Sequence, residues 1–379
     1  REVDMKKVLS IVSLFSFLIL STAHADVKVS GFMQQIVGMG DEVDGGVTEK
    51  FTRFGFAADT TTDNGWTVGG SMAMEFSLLS SGAAYGPTSN QMYVQTGAAT
   101  ITVGNTANAA SLLVPRIGVM VPGAGHDGGY QFLFDTGMLA SHGVPLSEAY
   151  YAMSNSSITV QSPSINGFNV AGTYTPAMEF NSADGVARSA NDESPDHGET
   201  AHLAISYSAE MDGISYTIGA ATINGNSQSS SCRDDNTCNN NDLASMTAGL
   251  KVTMGNISFG AHVFDNQDSF GSAGDAVKAK HSGYTFASEY AMGSITVGAG
   301  YAHQELVRGT RAQARATTLT AADAGNVRED TLTYVGIGYN MGGGVNTYIQ
   351  LNNMNHSDGD HATTEADPQV LFAGISLGF

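Results

Sequence analysis

The sequence predicts an all-β fold, a closed transmembrane antiparallel β-barrel of about 16 strands. Three observations carry this expectation. From Asp26 to Phe379 apolar and polar residues alternate in stretches of about ten, the period of a strand with two unlike faces. A tight Gly or Asn connection and a long polar segment join these stretches in turn. An export signal stands in front of them.

That signal comes first in chain order. Lys6 and Lys7 precede an apolar run at 8–20, and Ala23-His24-Ala25 supplies the small residues of a cleavage site. The run is shorter than the ~20 residues that a helix needs to cross a bilayer. Residues 1–25 are therefore expected to be upstream residues and a cleaved signal peptide. No linker, charge run or change of composition divides 26–379, which is expected to be one domain.

Within it, tight connections fall at Asn64-Gly65, near Gly97, at Asn166-Gly167, Asp212-Gly213, Gly255-Asn256, near Gly293 and at 342–344. Long polar segments alternate with them at 38–49, 77–90, 105–148, 177–199, 223–242, 265–279, 304–328 and 355–367. Both chain ends then lie on the short-turn side, so the first and last strands can pair and leave no open edge. The period of two is plainest in 214–220, 257–263, 294–301, 345–351 and 371–379. In 294–301, Ile295, Val297, Ala299 and Tyr301 share one face, while Ser294, Thr296, Gly298 and Gly300 share the other. One face suits lipid, the other water. No window carries a helical period, and of spanning structures only a barrel pairs every backbone group between strands.

Composition narrows the function. With 16 basic and 36 acidic residues the formal charge is −20, which argues against nucleic acid as a partner. Many of the 46 glycines sit on the polar face, Gly298, Gly300, Gly336 and Gly338 among them. The interior is thus expected to lack bulky apolar filling and to hold water. Cys232 and Cys238, in a polar stretch of an exported chain, point to a loop disulfide. A metal pair is the competing reading, although two thiols with no nearby His make a poor zinc site. The acidic outer segments lack a calcium-loop pattern. No P-loop or H-E-x-x-H pattern occurs, and neither catalysis nor a cofactor is expected.

The stretch Ser162-Pro163-Ser164-Ile165-Asn166-Gly167-Phe168, with the strands on either side, resembles a strand-turn-strand unit of Gram-negative general porins. Arg53-Phe54-Gly55-Phe56 is similar to the second strand of those proteins, where an arginine lines the pore. The end, Gly374-Ile375-Ser376-Leu377-Gly378-Phe379, is similar to the C-terminal signature that the barrel assembly machinery reads, with Phe379 as its last residue. The resemblance implies a homotrimer of 16-stranded barrels set in outer-membrane lipid and lipopolysaccharide. It also implies an inward-folded third loop and a channel for small solutes and ions.

The third long segment, 105–148, fits that role. It is the longest, and it carries Leu112, Leu113, Val114, Ile117, Val119, Met120 and Phe132. Packing on an outer rim or a trimer contact is the other reading of those residues. A transverse field across the constriction needs acids on this loop and bases on the facing wall. Arg53 is the wall candidate, since alternation sends Phe54 and Phe56 toward lipid. Asp135, then Asp127, are the acidic candidates, with Glu148 also in the segment, and each Asp also reads as a turn cap. Arg116 is expected to be a counter-ion inside the loop. The fourth strand, at Met92-Tyr93-Val94, adds no arginine, which departs from the family's basic cluster.

Alternation further places Glu75, Glu289, Lys28, Lys251, His202 and His262 on the lumen face. Phe54, Phe56, Tyr284, Phe286, Tyr301, Tyr339 and Phe379 are expected outside, in interfacial girdles. Inward Tyr334, Tyr348 and Phe372 form no continuous track. The acidic excess predicts a mild cation preference. A substrate-specific channel and a structural or adhesive barrel without a channel are the alternatives.

Overall fold

The computed structural model describes residues 26–40, 43–79, 82–123, 155–178, 197–227, 241–269, 280–307, 327–358 and 369–379. Its strands are β1 (Asp26–Gly40), β2 (Val43–Thr61), β3 (Thr67–Leu79), β4 (Gly82–Gln95), β5 (Thr100–Thr106), β6 (Asn155–Gln161), β7 (Phe168–Met178) and β8 (His197–Met211). There follow β9 (Ile214–Ser227), β10 (Leu243–Met254), β11 (Ile257–Asp265), β12 (Lys280–Met292), β13 (Ile295–Val307), β14 (Val327–Gly342), β15 (Val345–Asp358) and β16 (Gln369–Gly378). Each pairs antiparallel with its sequence neighbour, and β1 pairs with β16, so 16 strands close on themselves. Among the described residues no helix is long and apolar enough to cross a membrane.

The tight turns stand where expected, and the backbone shows why those residues occupy them. Asn166 and Gly167 have φ of 52° and 88°, the left-handed pair that a two-residue hairpin requires and that Asn and Gly accept. The first turn is held differently: the Thr62 hydroxyl donates to Trp66 O at 2.9 Å, and Trp66 N donates back at 3.1 Å. Trp66, the one tryptophan of the chain, stands exposed on this short-turn rim.

Two of the long connections read from polarity are short. β1 and β2 stay paired to Gly40 and Val43, and β3 and β4 to Leu79 and Gly82. Polar side chains do not stop a ladder that is made by the backbone, and beyond the bilayer neither face must be apolar.

The seam between β1 and β16 is finished by the last residue. Gly31 N donates to Phe379 O at 2.8 Å and Phe379 N to Gly31 O at 3.0 Å. A Cβ on Gly31 would overlap the Phe379 ring, which also meets Phe54 edge-on at 6.5 Å between centroids. Gly31→Leu is therefore expected to lift this ring off the seam and lower the yield of refolded barrel in detergent, read by heat-dependent electrophoretic mobility. The assembly machinery is absent from that assay, so a loss there reflects packing alone.

Alternation separates two surfaces. Ile218, Phe259, Ile337 and Ile349 stand on the outer face, exposed to lipid. So do Phe56, Tyr284, Phe286, Tyr301, Tyr339 and Phe379. The inner face is not uniformly polar. One apolar cluster inside the barrel joins Ile117, Met120 and Val121 to Leu332, Tyr334, Tyr348, Val370 and Phe372. A second joins Ala109, Ala110, Leu113 and Val114 to Ala171, Ala204, Ile223 and Phe264. The expectation of an interior without apolar filling thus holds for part of the wall only. Where the third loop lies on it, wall and loop bury apolar side chains together.

Candidate pore constriction

After β5 the chain turns into the barrel. A short helix, α1 (Ala109–Leu113), starts at Asn108, whose side chain accepts from Ser111 N at 2.9 Å. This is a helix cap, and the Asn-Ala-Ala signal for it lies inside a segment that otherwise reads as loop. Ala109 N donates to Thr173 Oγ1 at 2.8 Å, tying the helix to β7. A 3-10 turn (Gly118–Met120) follows. Helix α1 packs on β6 to β9, and the 3-10 turn packs on β12 and β13.

Leu113, Val114, Ile117, Met120 and Val121 are buried against the wall. Each such side chain removed from water is worth about 1.5–3 kcal/mol, which explains why this stretch does not stay in solvent. Leu112, Arg116 and Val119 point the other way and are exposed. Among the described loop residues, the exposed side thus carries one base between two apolar residues.

Across from it, β1 and β2 present charge. Lys28 Nζ lies 3.3 Å from Asp59 Oδ1, with side-chain exposures of 70% and 32%. A pair so well solvated adds little stability, but it sets both signs on the wall. Arg53 is exposed on the same pleat, and the register places it directly opposite Glu75. Nearer the short turns, Lys251 Nζ lies 3.6 Å from Glu289 Oε1 across β11. On β4, Tyr93 faces the lumen over Gly69, whose added Cβ would lie 2.6 Å from the phenol oxygen.

A family model for Gram-negative porins matches residues 15–359. The chain belongs to the Gram-negative porin family. The porin shares its fold with solved structures at low identity. Outer-membrane expressed OmpT of Vibrio cholerae is 12% identical with a TM-score of 0.60, covering 95% of this chain and 100% of that one. A trimer form of OmpT, folded in vitro, gives 12% identity and 0.60 over 94% and 99% of the two chains. A mutant of Rh. blastica porin gives 17% and 0.55 over 93% and 100%. No curated protein matches the sequence. Fold and family together place this porin in the outer membrane as a channel-type barrel.

Of the residues singled out in the sequence, the porin's barrel puts Arg53, Lys28, Lys251 and Glu289 on the lumen face, with Glu75 at a lumen-facing register position. Arg116 is exposed on the loop. Asp127, Asp135, Cys232 and Cys238 lie outside the described residues. His202 and His262 do face inward, but both are buried, and Thr247 Oγ1 shares a hydrogen bond of 2.6 Å with His262 Nε2. Sequence reasoning missed Asp59, although it falls on the same pleat as Arg53 six residues away.

It also missed a polar ladder at the loop-side end of the lumen. Ser245 Oγ donates to Asn266 Oδ1 at 2.6 Å, and Asn266 Nδ2 donates to His281 Nδ1 at 2.9 Å. His281 Nε2 donates to Gln304 Oε1 at 3.2 Å, and Gln304 Nε2 donates to Asp330 Oδ2 at 2.7 Å. All five are at most 2% exposed. Every donor points the same way around the barrel, toward the carboxylate, so each bond polarises the next. The ladder laces β10 to β14 above the seated loop. Its only sequence signal is a polar residue at the loop end of successive strands, which ordinary solvation would equally produce.

Proposed function

We propose that this porin is a general-diffusion channel. Small hydrophilic solutes and ions would pass down their own gradients with no cofactor, no covalent step and a mild preference for cations. The observation that carries this reading is the unequal lumen: one wall is sealed by the loop, while the facing wall keeps Lys28, Asp59 and Arg53 in solvent. Charges so exposed sort ions by field. The net charge of −20 supports a cation excess at the mouth. That excess is strongest where the Debye length is long, about 10 Å at 0.1 M salt.

Asp127 or Asp135 is proposed as the acidic side of the constriction, opposite Arg53, with Arg116 as a base on the same loop. A homotrimer is proposed as the assembly, in keeping with the trimer form of the similar OmpT structure. A disulfide between Cys232 and Cys238 and a cleaved segment 1–25 complete the proposal.

Purified protein in a planar bilayer tests it. The expected record is steady conductance closing in three steps, with a reversal potential in a salt gradient that favours cations and weakens as salt rises. Absence of conductance steps would exclude the channel, and clear anion preference would exclude the proposed field.

A further inference from the structure

We propose that a track of wall glycines on β9, β10, β11, β13 and β14 sets the free width of the channel, because it lets the third-loop backbone lie directly on the barrel. The proposal deepens the channel reading and rests on it.

From β9 to β11 the loop crosses the wall at a fixed pitch. Leu113 lies on Gly219 of β9, Pro115 on Gly249 of β10 and Ile117 on Gly260 of β11, two residues for each strand. An extended pair of residues advances about 6.6 Å. Strands about 4.8 Å apart are spread by barrel tilt to roughly 6 Å along the circumference. The two pitches match, so successive loop residues meet successive strands. Farther round, Pro122 lies on Gly336 of β14, and the register pairs Gly219 with Gly249 and Gly298 with Gly336.

No room is left for a side chain. A Cβ on Gly336 would overlap Pro122 O, and one on Gly219 would overlap Leu113 O. On Gly249 it would stand 2.7 Å from Pro115 O. These are backbone atoms, which cannot swing aside. On Gly260 the obstacle is Ile117 Cδ1 at 2.5 Å, the tip of a side chain that can turn. Because the opposite wall is fixed by the closed sheet, one added carbon on Gly219, Gly249 or Gly336, where the obstacle is backbone, moves the loop at the expense of the lumen.

The test is an alanine series in a planar bilayer and in solute-loaded liposomes, with barrel folding verified by electrophoretic mobility. Gly336→Ala and Gly219→Ala are expected to lower single-channel conductance roughly 1.5-fold, as close-packed backbone yields to one carbon. Gly249→Ala should act less, and Gly260→Ala least. Entry of sugars should fall more steeply as the sugar grows, which a change of stability alone would not produce. Gly172→Ala, where the nearest atom to the added carbon is 3.8 Å away, should match the wild type. If Gly336→Ala does not fold, Gly249→Ala carries the same comparison. Folded variants with wild-type conductance and sugar cutoff would overturn the proposal. If the wild type itself gives no steps, the channel reading fails instead. The seat is then decided by oxidation of Val121→Cys with Gly298→Cys, in a chain whose native cysteines are serine. A bond there keeps the seat, and its absence removes it.

Discussion

Gln304→Leu is expected to lower the unfolding free energy of the barrel by about 3–5 kcal/mol, among the largest effects of any single substitution in the wall. Gln304 links His281 to Asp330 in the ladder, accepting from the imidazole and donating to the carboxylate. Leucine fills the space but offers neither bond. It takes one bond from an imidazole N–H and one from a carboxylate, each about 1% exposed, and each buried bond lost in this way costs about 1–3 kcal/mol, more at a charged group. Urea titration of the liposome-inserted protein, followed by circular dichroism, would measure the shift. A shift under about 0.5 kcal/mol for the single variant, the usual range of an inert surface change, would mean that the ladder holds nothing together.

Arg53→Glu is expected to raise the cation-to-anion permeability ratio about fivefold at 0.1 M salt. Reversal replaces one positive with one negative charge on the open wall. At about 8 Å from a passing ion in water, each unit charge contributes roughly 0.5 kcal/mol, which screening at 0.1 M about halves, so the two-unit change favours a cation by about 0.5 kcal/mol and disfavours an anion by as much, close to 1 kcal/mol in the ratio. The gain should nearly vanish at 1 M salt, where the Debye length shrinks to about 3 Å. Lys28→Glu is expected to act more weakly, because the Lys28 side chain is 70% exposed and solvent screens its charge. Reversal potentials across a range of gradients decide both. An unchanged ratio at low salt would place Arg53 away from the ion path.

The barrel itself was legible because its signal is local. Turn residues such as Asn166-Gly167 and the period of two through 294–301 need no knowledge of distant parts. The pleat of Arg53, Glu75, Lys251 and Glu289 followed from counting by twos from an outward aromatic. What stayed hidden depends on contacts between distant stretches. Gly336 reads as an empty spot on a wet wall until Pro122, more than two hundred residues earlier, is laid on it. Tyr334 and Phe372 read as lumen aromatics without a track, and the structure buries them under the loop with Ile117 and Val121. Gln304 and Asp330 look like ordinary solvated residues near a strand end. Only the register, which puts them opposite each other, makes them a bonded pair.

Trp66, exposed on the short-turn rim, gives the molecule an intrinsic optical reporter. With no other indole in the chain, all emission excited at the red edge comes from that rim. Its wavelength and its quenching by brominated acyl chains would time the arrival of the turns at the membrane surface during insertion, with no dye attached. Substitutions in the loop seat or the ladder leave this reporter untouched, so each variant can be followed by the same light as the parent.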